Sequence, residues 1–353
     1  MRVDRWSLLA LLRFALATIV AMVHLGERMP IGALAPLPML GGFEAVLGFL
    51  VISGYSVTVS LEQRPDGFLR RRLLRVFPSY LACLALTLGV MAFVQHKPLP
   101  GVGEIMANVL LLNQLVTHTS ILLPAWSLSL ECWFYALLPL LALLPARHVR
   151  RIAWLSFAAF VAFTVGRTLL QLPYYAGVGH GANVPLLAFA WVTGSLMARR
   201  DADAALAWRD LRWMFAGHIV LDVLIQAGHR IKHHEAARFA IDDLPGFCLQ
   251  ALTLWVLVRC LARVIAPATT PRIRSRWMNA LGDWSYPLYL VHVPIYALVV
   301  SMAGAAAGAT QGALPIAAFG LALVAAIALH HGVERPWRRP APRRQVSALA
   351  GES

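Results

Sequence analysis

Apolar stretches close to the length that crosses a bilayer recur along this chain, with short basic segments between them. A hydrocarbon core about 30 Å thick takes roughly 20 mostly apolar residues per helix. Inside it only helices and closed barrels satisfy every backbone polar group. Ten such runs fall near residues 6–26, 42–61, 76–95, 126–145, 151–171, 184–198, 211–227, 244–263, 279–301 and 311–332. They predict an all-α fold, a polytopic membrane bundle of about ten spanning helices. The composition agrees: of 353 residues, 59% are hydrophobic and 14% charged, with a mean hydropathy of +0.66, unlike a soluble domain. The apolar piece at 104–116 is too brief to span and is expected to be an interfacial or re-entrant helix.

The charge pattern tests that choice, because Lys and Arg accumulate in cytoplasmic loops. With ten spans, 22 basic residues fall in the terminal segments and loops of one side and 5 on the other, and Arg13, Arg167, Arg212 and Arg259 lie inside the runs. Both termini are therefore expected in the cytoplasm. The net charge of +14 is spread over inter-helix loops, so it reads as topology rather than nucleic-acid binding. Cys83, Cys132, Cys248 and Cys260 lie in apolar stretches without C-x-x-C spacing, supporting neither a disulfide framework nor a zinc site. The first run lacks a small-residue cleavage signature and is expected to be retained. Residues 1–336 are expected to form one membrane domain, and 337–353 a basic, Pro-rich cytoplasmic tail, disordered at its end.

Arg13 and His24 bracket "RFALATIVAMVH" in the first run. Eleven residues at 100° each make three turns and about 20°, so both side chains share one helix face, about 16 Å apart along the axis. An arginine near mid-helix costs about 2.5–3.5 kcal/mol on insertion scales and usually turns to a polar cavity. The helix alone admits two readings. Arg13 snorkels to the headgroups and His24 is an interfacial polar end, or both face a polar cleft across the membrane and His24 is a general base.

Other segments add chemistry. In "GFLVISGYSVTVSL" the residues Ser53, Gly54 and Tyr55 either permit close helix packing or thin a cavity wall. In "FLRRRLLRVFPSY", Arg70, Arg71, Arg72 and Arg75 form a topogenic cluster, and Arg72 and Arg75, at i and i+3, also suit phosphate groups. "PAWSLSLECWFYALLPLL" carries Glu131 with Trp126, Ser127 and Tyr135; an intramembrane carboxylate is either functional or paired with a base. "LGDWSYPLYLVHVPIY" carries Asp283, Ser285, Tyr286, Tyr289 and His292, read as aromatic packing with hydrogen-bonded polar groups or as a site wall. "HRIKHHE" at 229–235 has no clear ligand geometry for a metal, and in "VERPW" Glu334 precedes the helix-ending Pro336. No nucleophile elbow, Walker A, dinucleotide fingerprint or H-E-x-x-H occurs, which argues against a serine hydrolase, ATPase, dinucleotide enzyme or zincin.

Taken in order, Arg13 with His24, "GFLVISGY", "FLRRRLLRVFP", "LLNQ" with Asn113, "WSLSLECWFYALLPLL", "LGDWSYPLYLVHVPI" and "VERP" resemble the acyltransferase-3 family of bacterial multi-pass membrane O-acyltransferases, which includes O-antigen acetylases. The resemblance spans residues 8–336. It implies an enzyme of the bacterial inner membrane that moves an acyl group, usually acetyl, from acyl-CoA to a hydroxyl of a carbohydrate or glycan. By the same resemblance His24 is the catalytic base, with Arg13 its partner and Glu131 in a supporting role. Arg72 and Arg75 bind CoA phosphates, Ser53, Gly54 and Tyr55 line the CoA path, and Asn113, Trp126, Ser127, Tyr135, Ser285, Tyr286 and His292 face the acceptor. No metal and no permanently bound cofactor is implied, and a homodimer is left open. Leu47 and Gly48 depart from the bulkier aromatics common in the family, and no esterase-like domain follows the last helix, which suggests a stand-alone membrane enzyme. The rival reading is a transporter of an acylated or lipid-linked saccharide, which the helices and a transmembrane polar face also suit.

Overall fold

The computed structural model describes residues 2–117, 119–173, 175–178, 181–266, 272–304 and 313–337. Eleven helices organise them: α1 (Arg5–Gly26), α2 (Gly42–Gln63), α3 (Phe68–Val94), α4 (Val102–Val109), α5 (Ala125–Ala142), α6 (Ala146–Leu170), α7 (Asn183–Ala198), α8 (Ala204–Lys232), α9 (Ala236–Ile265), α10 (Arg276–Ala303) and α11 (Leu314–Trp337). The only strands among the described residues are a two-residue parallel pair, Arg2–Val3 with Ile273 opposite Val3, which ties the start of α1 to the start of α10. Asp4 caps α1 by accepting from the backbone N–H groups of Trp6 and Ser7.

Eight helices are long and apolar enough to cross a membrane, so the protein is a multi-pass helical membrane protein, but the expected count of ten is not established. The two that fall short are α7 and α8. With 16 residues α7 is about 24 Å long, short of the bilayer core. It is buried among α2, α5, α6 and α8 instead. α8 is long but carries Arg209, Asp210, Arg212 and Asp222, and Arg150 on α6 forks onto Asp210 at 2.5 and 3.0 Å. The short apolar piece folds as α4, eight residues or about 12 Å, which cannot span.

Other boundaries differ from expectation: α9 begins at Ala236 rather than near 244, and α11 runs on to Trp337, so Pro336 does not end it as expected. Helix α3 begins at Phe68 rather than near 76, because the arginine-rich segment continues the helix outward and its long side chains reach polar surroundings along it. Helix α8 extends well beyond 211–227 at both ends, started by Asp203, which caps it. The tail residues 338–353 lie outside the described residues.

Helix α2 is the hub: 83% of its apolar window is buried, against 22% for α6 and α11. The peripheral helices turn large apolar side chains outward, among them Leu155, Leu169, Leu224, Trp255 and Val324, as lipid contact demands. At the centre α2 and α7 touch backbone to backbone. A methyl at Gly54 would strike the Trp191 carbonyl, and one at Gly194 would strike that of Val51. Helix α1 packs closely along α10, where a methyl on Gly282 would collide with Ala10.

Loops on the face where α1 begins are clamped by charge. Arg199 donates to the carbonyls of Leu141 and Leu144 and to both oxygens of Asp201. Those donors hold the Asp201 carboxyl below its ordinary range.

Candidate active site

Two cavities enter the bundle from opposite faces. Toward the face where α1 ends lies a cavity of about 530 Å³ lined by His24, Trp126, Glu44, Arg167, His218, Asp222 and Tyr289. Toward the face where α1 begins lies one of about 100 Å³ lined by Arg13, Arg72, Arg75, Ser53, Ser56, Ser127, Glu131, Tyr135, Ser285, Tyr286 and Tyr289. The single expected cleft is therefore divided, and Arg13 and His24, although on one helix face, open into different cavities.

The partition is Tyr289, which lines both cavities. Its hydroxyl lies 2.6 Å from Ser127 Oγ and donates to the Pro124 carbonyl at 2.9 Å. Its ring meets Phe49 edge-on at 5.3 Å. Both hydroxyl contacts fasten α10 to the start of α5, so the wall is a cross-link between helices rather than a loop.

In the larger cavity His24 Nδ1 lies 2.8 Å from His292 Nε2. The ring planes are within 16° and the centroids 5.1 Å apart, the edge-to-edge arrangement that in-plane lone pairs require. His292 Nδ1 is 2.9 Å from the Leu288 carbonyl, an oxygen that can only accept. His292 Nδ1 therefore carries the proton, its Nε2 accepts, and His24 Nδ1–H is the donor. The second nitrogen of His24, Nε2, is left with its lone pair. Arg28 holds the same turn by donating to the His24 carbonyl at 3.0 Å.

The smaller cavity is strongly basic, with three guanidinium groups against one carboxylate. Arg13 donates to Ser56 Oγ at 2.5 Å. Glu131 accepts from Ser53 and from Tyr135 Oη, and the Trp191 indole N–H donates to Ser53 at 3.3 Å. Arg72 and Arg75, one turn apart, both enter the cavity, whereas Arg71 turns back to the carbonyls of Arg64 and Asp66. Ser285 donates to the Gly282 carbonyl and Tyr286 to that of Val76, so these two brace the wall.

Four of the site residues expected from the sequence stand apart from both cavities, His292 among them, fully buried behind His24. Gly54 is the contact with α7, and Tyr55 packs near Trp6 at the end of the bundle where α1 begins. Asn113 is fully buried and donates to Ser120 Oγ at 2.5 Å. Glu131 shares the arginine cavity rather than that of His24. Sequence reasoning missed Glu44, His218 and Asp222 on the His24 cavity, as well as Ser56. An ionisable residue in the apolar run of α2, and His and Asp four apart in α8, were the available signals. "HRIKHHE" is the last turn of α8 and the turn after it, held by ion pairs, Arg230 bonding Asp243 at 2.7 Å and Glu235 at 2.8 Å. Glu334 is buried and accepts from His330 at 2.8 Å, which adds a side-chain pairing to the helix end.

Comparison with known proteins assigns the chain as a whole. A family model described as an acyltransferase domain matches residues 7–330. Acyltransferase MdmB of Streptomyces mycarofaciens is 28% identical over 99% of this chain and 96% of its own length. BcsY of Komagataeibacter xylinus, named provisionally as a membrane-bound transacylase, is 29% identical over 72% of this chain and 66% of its own length. No solved structure matches.

Proposed function

Because the chain belongs to the acyltransferase-3 family and is a membrane acyltransferase, we propose that it takes an acyl group, acetyl by preference, from acyl-CoA at the arginine cavity and delivers it to a carbohydrate or glycan hydroxyl at the His24 cavity. The transporter reading falls away with family membership. The observation that carries the proposal is the pairing of a basic cavity on one face with an imidazole lone pair on the other, separated by one tyrosine. The charge bias of the loops supports a cytoplasmic side for the arginines and for both termini. That is also the side where acyl-CoA is made.

Guanidinium groups bind phosphate through paired, charge-assisted hydrogen bonds, and CoA is rich in phosphate. With Arg72 and Arg75 on the nucleotide end, the thioester arm points toward Tyr289. Movement of Tyr289 away from Ser127 joins the cavities and admits the arm. His24 Nε2 then takes the proton of the acceptor hydroxyl as its oxygen attacks the thioester carbonyl. The tetrahedral intermediate collapses, the C–S bond breaks, and the departing thiolate recovers that proton from the imidazolium. Ester and free CoA thiol are the products, and the imidazole is restored.

Sealed vesicles test the sidedness. Loaded with glycan acceptor in the lumen and given radiolabelled acetyl-CoA outside, inside-out vesicles are expected to transfer label and release CoA thiol, whereas right-side-out vesicles treated in the same way are not. Equal transfer by both orientations overturns the proposal.

His292 is a positioning residue in this scheme: it does not meet the substrate but sets which nitrogen of His24 is basic. His292→Ala is expected to lower kcat by about 10- to 100-fold, by analogy with the loss of residues that orient metal-bound imidazoles. It should also alter the pH profile of kcat/KM. His292→Gln, whose amide oxygen can still accept, should recover part of the rate. A purely packing role predicts instead that His292→Phe rescues better than His292→Gln.

A further inference from the structure

We propose that His218 and Asp222, with Glu44 orienting the His218 ring, form a binding site for a divalent transition-metal cation of the zinc type, in the wall of the cavity that also holds His24. One donor atom from each residue lies within 4.8 Å of the others. Glu44 comes from the first turn of α2 and the other two from successive turns of α8.

The argument rests on the second nitrogen of His218. Its Nε2 is 3.1 Å from Glu44 Oε1, and a carboxylate accepts, so Nε2 carries the proton in the neutral ring. Nδ1 then presents a lone pair. The residue is 1% exposed, and Nδ1 is buried without a hydrogen-bond partner. It faces Asp222 Oδ2 at 3.4 Å, one acceptor against another. Two donors about 2.1 Å from a tetrahedral ion stand about 3.4 Å apart, so this spacing leaves room for a cation between them.

The surroundings pre-organise such a site. Phe43 and Phe160 meet the His218 ring edge-on at 5.6 and 5.5 Å, which fixes its plane. Gly41, at φ +92°, leaves the space that Glu44 Oε2 occupies; a methyl there would collide with it. A carboxylate on the far nitrogen of a metal-binding imidazole is the usual orienting partner. Asp222 is partly exposed, so an ion held between it and Nδ1 keeps its remaining coordination positions open to the cavity. One imidazole and carboxylate oxygens suit zinc or manganese better than calcium or copper(I). Arg167 lines the same cavity, so its charge opposes the cation's and the two carboxylates have to outweigh it.

The rival arrangement is a doubly protonated His218 bridging the two carboxylates without metal. Full-length protein in detergent, on a tag without histidine and with His229, His233 and His234 changed to alanine to remove exposed ligands, is loaded with zinc, gel-filtered and measured by elemental analysis. About one tightly held zinc per chain is expected, with a loss of 10- to 100-fold in affinity for both Asp222→Asn and His218→Gln. Asp222→Asn, at the partly exposed position, preserves the fold, and monodispersity in gel filtration verifies this for each variant. Absence of stoichiometric zinc in the parent, or equal zinc in the parent and both variants, overturns the proposal. The readout needs neither acyl donor nor acceptor, so it stands or falls separately from the role of His24.

Discussion

Replacing His24 with alanine is expected to lower acyl transfer by about 10²- to 10⁴-fold, the usual contribution of general-base catalysis. The magnitude follows from the chemistry: a hydroxyl is a weak nucleophile until its proton has somewhere to go, and His24 Nε2 is the one nitrogen of the hydrogen-bonded histidine pair left with a free lone pair. Alanine also strands the lone pair of His292, so a loss of rate in that variant has two sources. His24→Gln separates them. Its amide N–H can still donate to His292, but it carries no basic nitrogen. Both variants are expected to insert in the membrane, run as monodisperse protein in detergent, and bind acyl-CoA with little change, while transfer measured as CoA thiol released in the presence of acceptor collapses in both. Full activity in His24→Gln would remove His24 from the reaction.

The sequence made one half of this site legible and concealed the other. The eleven-residue interval between Arg13 and His24 places both on one face by helix geometry alone. The i, i+3 spacing of Arg72 and Arg75 likewise predicts a common direction, and both reach one cavity. Those are local relations, set by the 3.6-residue turn. The division of the cleft is not local, because Tyr289 becomes a wall only when α5 brings Pro124 and Ser127 to its hydroxyl. His292 likewise gains its role from a partner 268 positions away, and Glu44 meets His218 across 174. Apolar periodicity records which face of a helix is buried, not which helix covers it. The same limit explains α7 and α8: hydropathy counts apolar residues, whereas α7 is kept from lipid by neighbours and Asp210 of α8 is answered by Arg150 of α6.

Removing both Arg72 and Arg75 is expected to produce the second large effect, a rise in KM for acyl-CoA of two to three orders of magnitude with a smaller change in KM for the acceptor. A hydrogen bond to a charged group contributes about 1.5–3 kcal/mol, and each 1.4 kcal/mol is about tenfold in binding. Two guanidinium groups at phosphate would together exceed a hundredfold, less what Arg13 retains from deeper in the same cavity. Three comparisons separate this from a merely topogenic role. Arg70→Ala removes an equal charge from the same turn without opening into the cavity, and should leave KM unchanged. Arg72→Lys with Arg75→Lys keeps the charge but loses the planar fork, so it should fall between wild type and the alanine pair. A donor truncated to S-acetylpantetheine lacks the nucleotide phosphates; its KM should start high in the wild type and barely change in the double variant. If the alanine pair weakens full-length and truncated donors equally, the arginines do not hold the nucleotide end. In that case the excess of three guanidinium groups over one carboxylate in this cavity serves insertion rather than donor recognition.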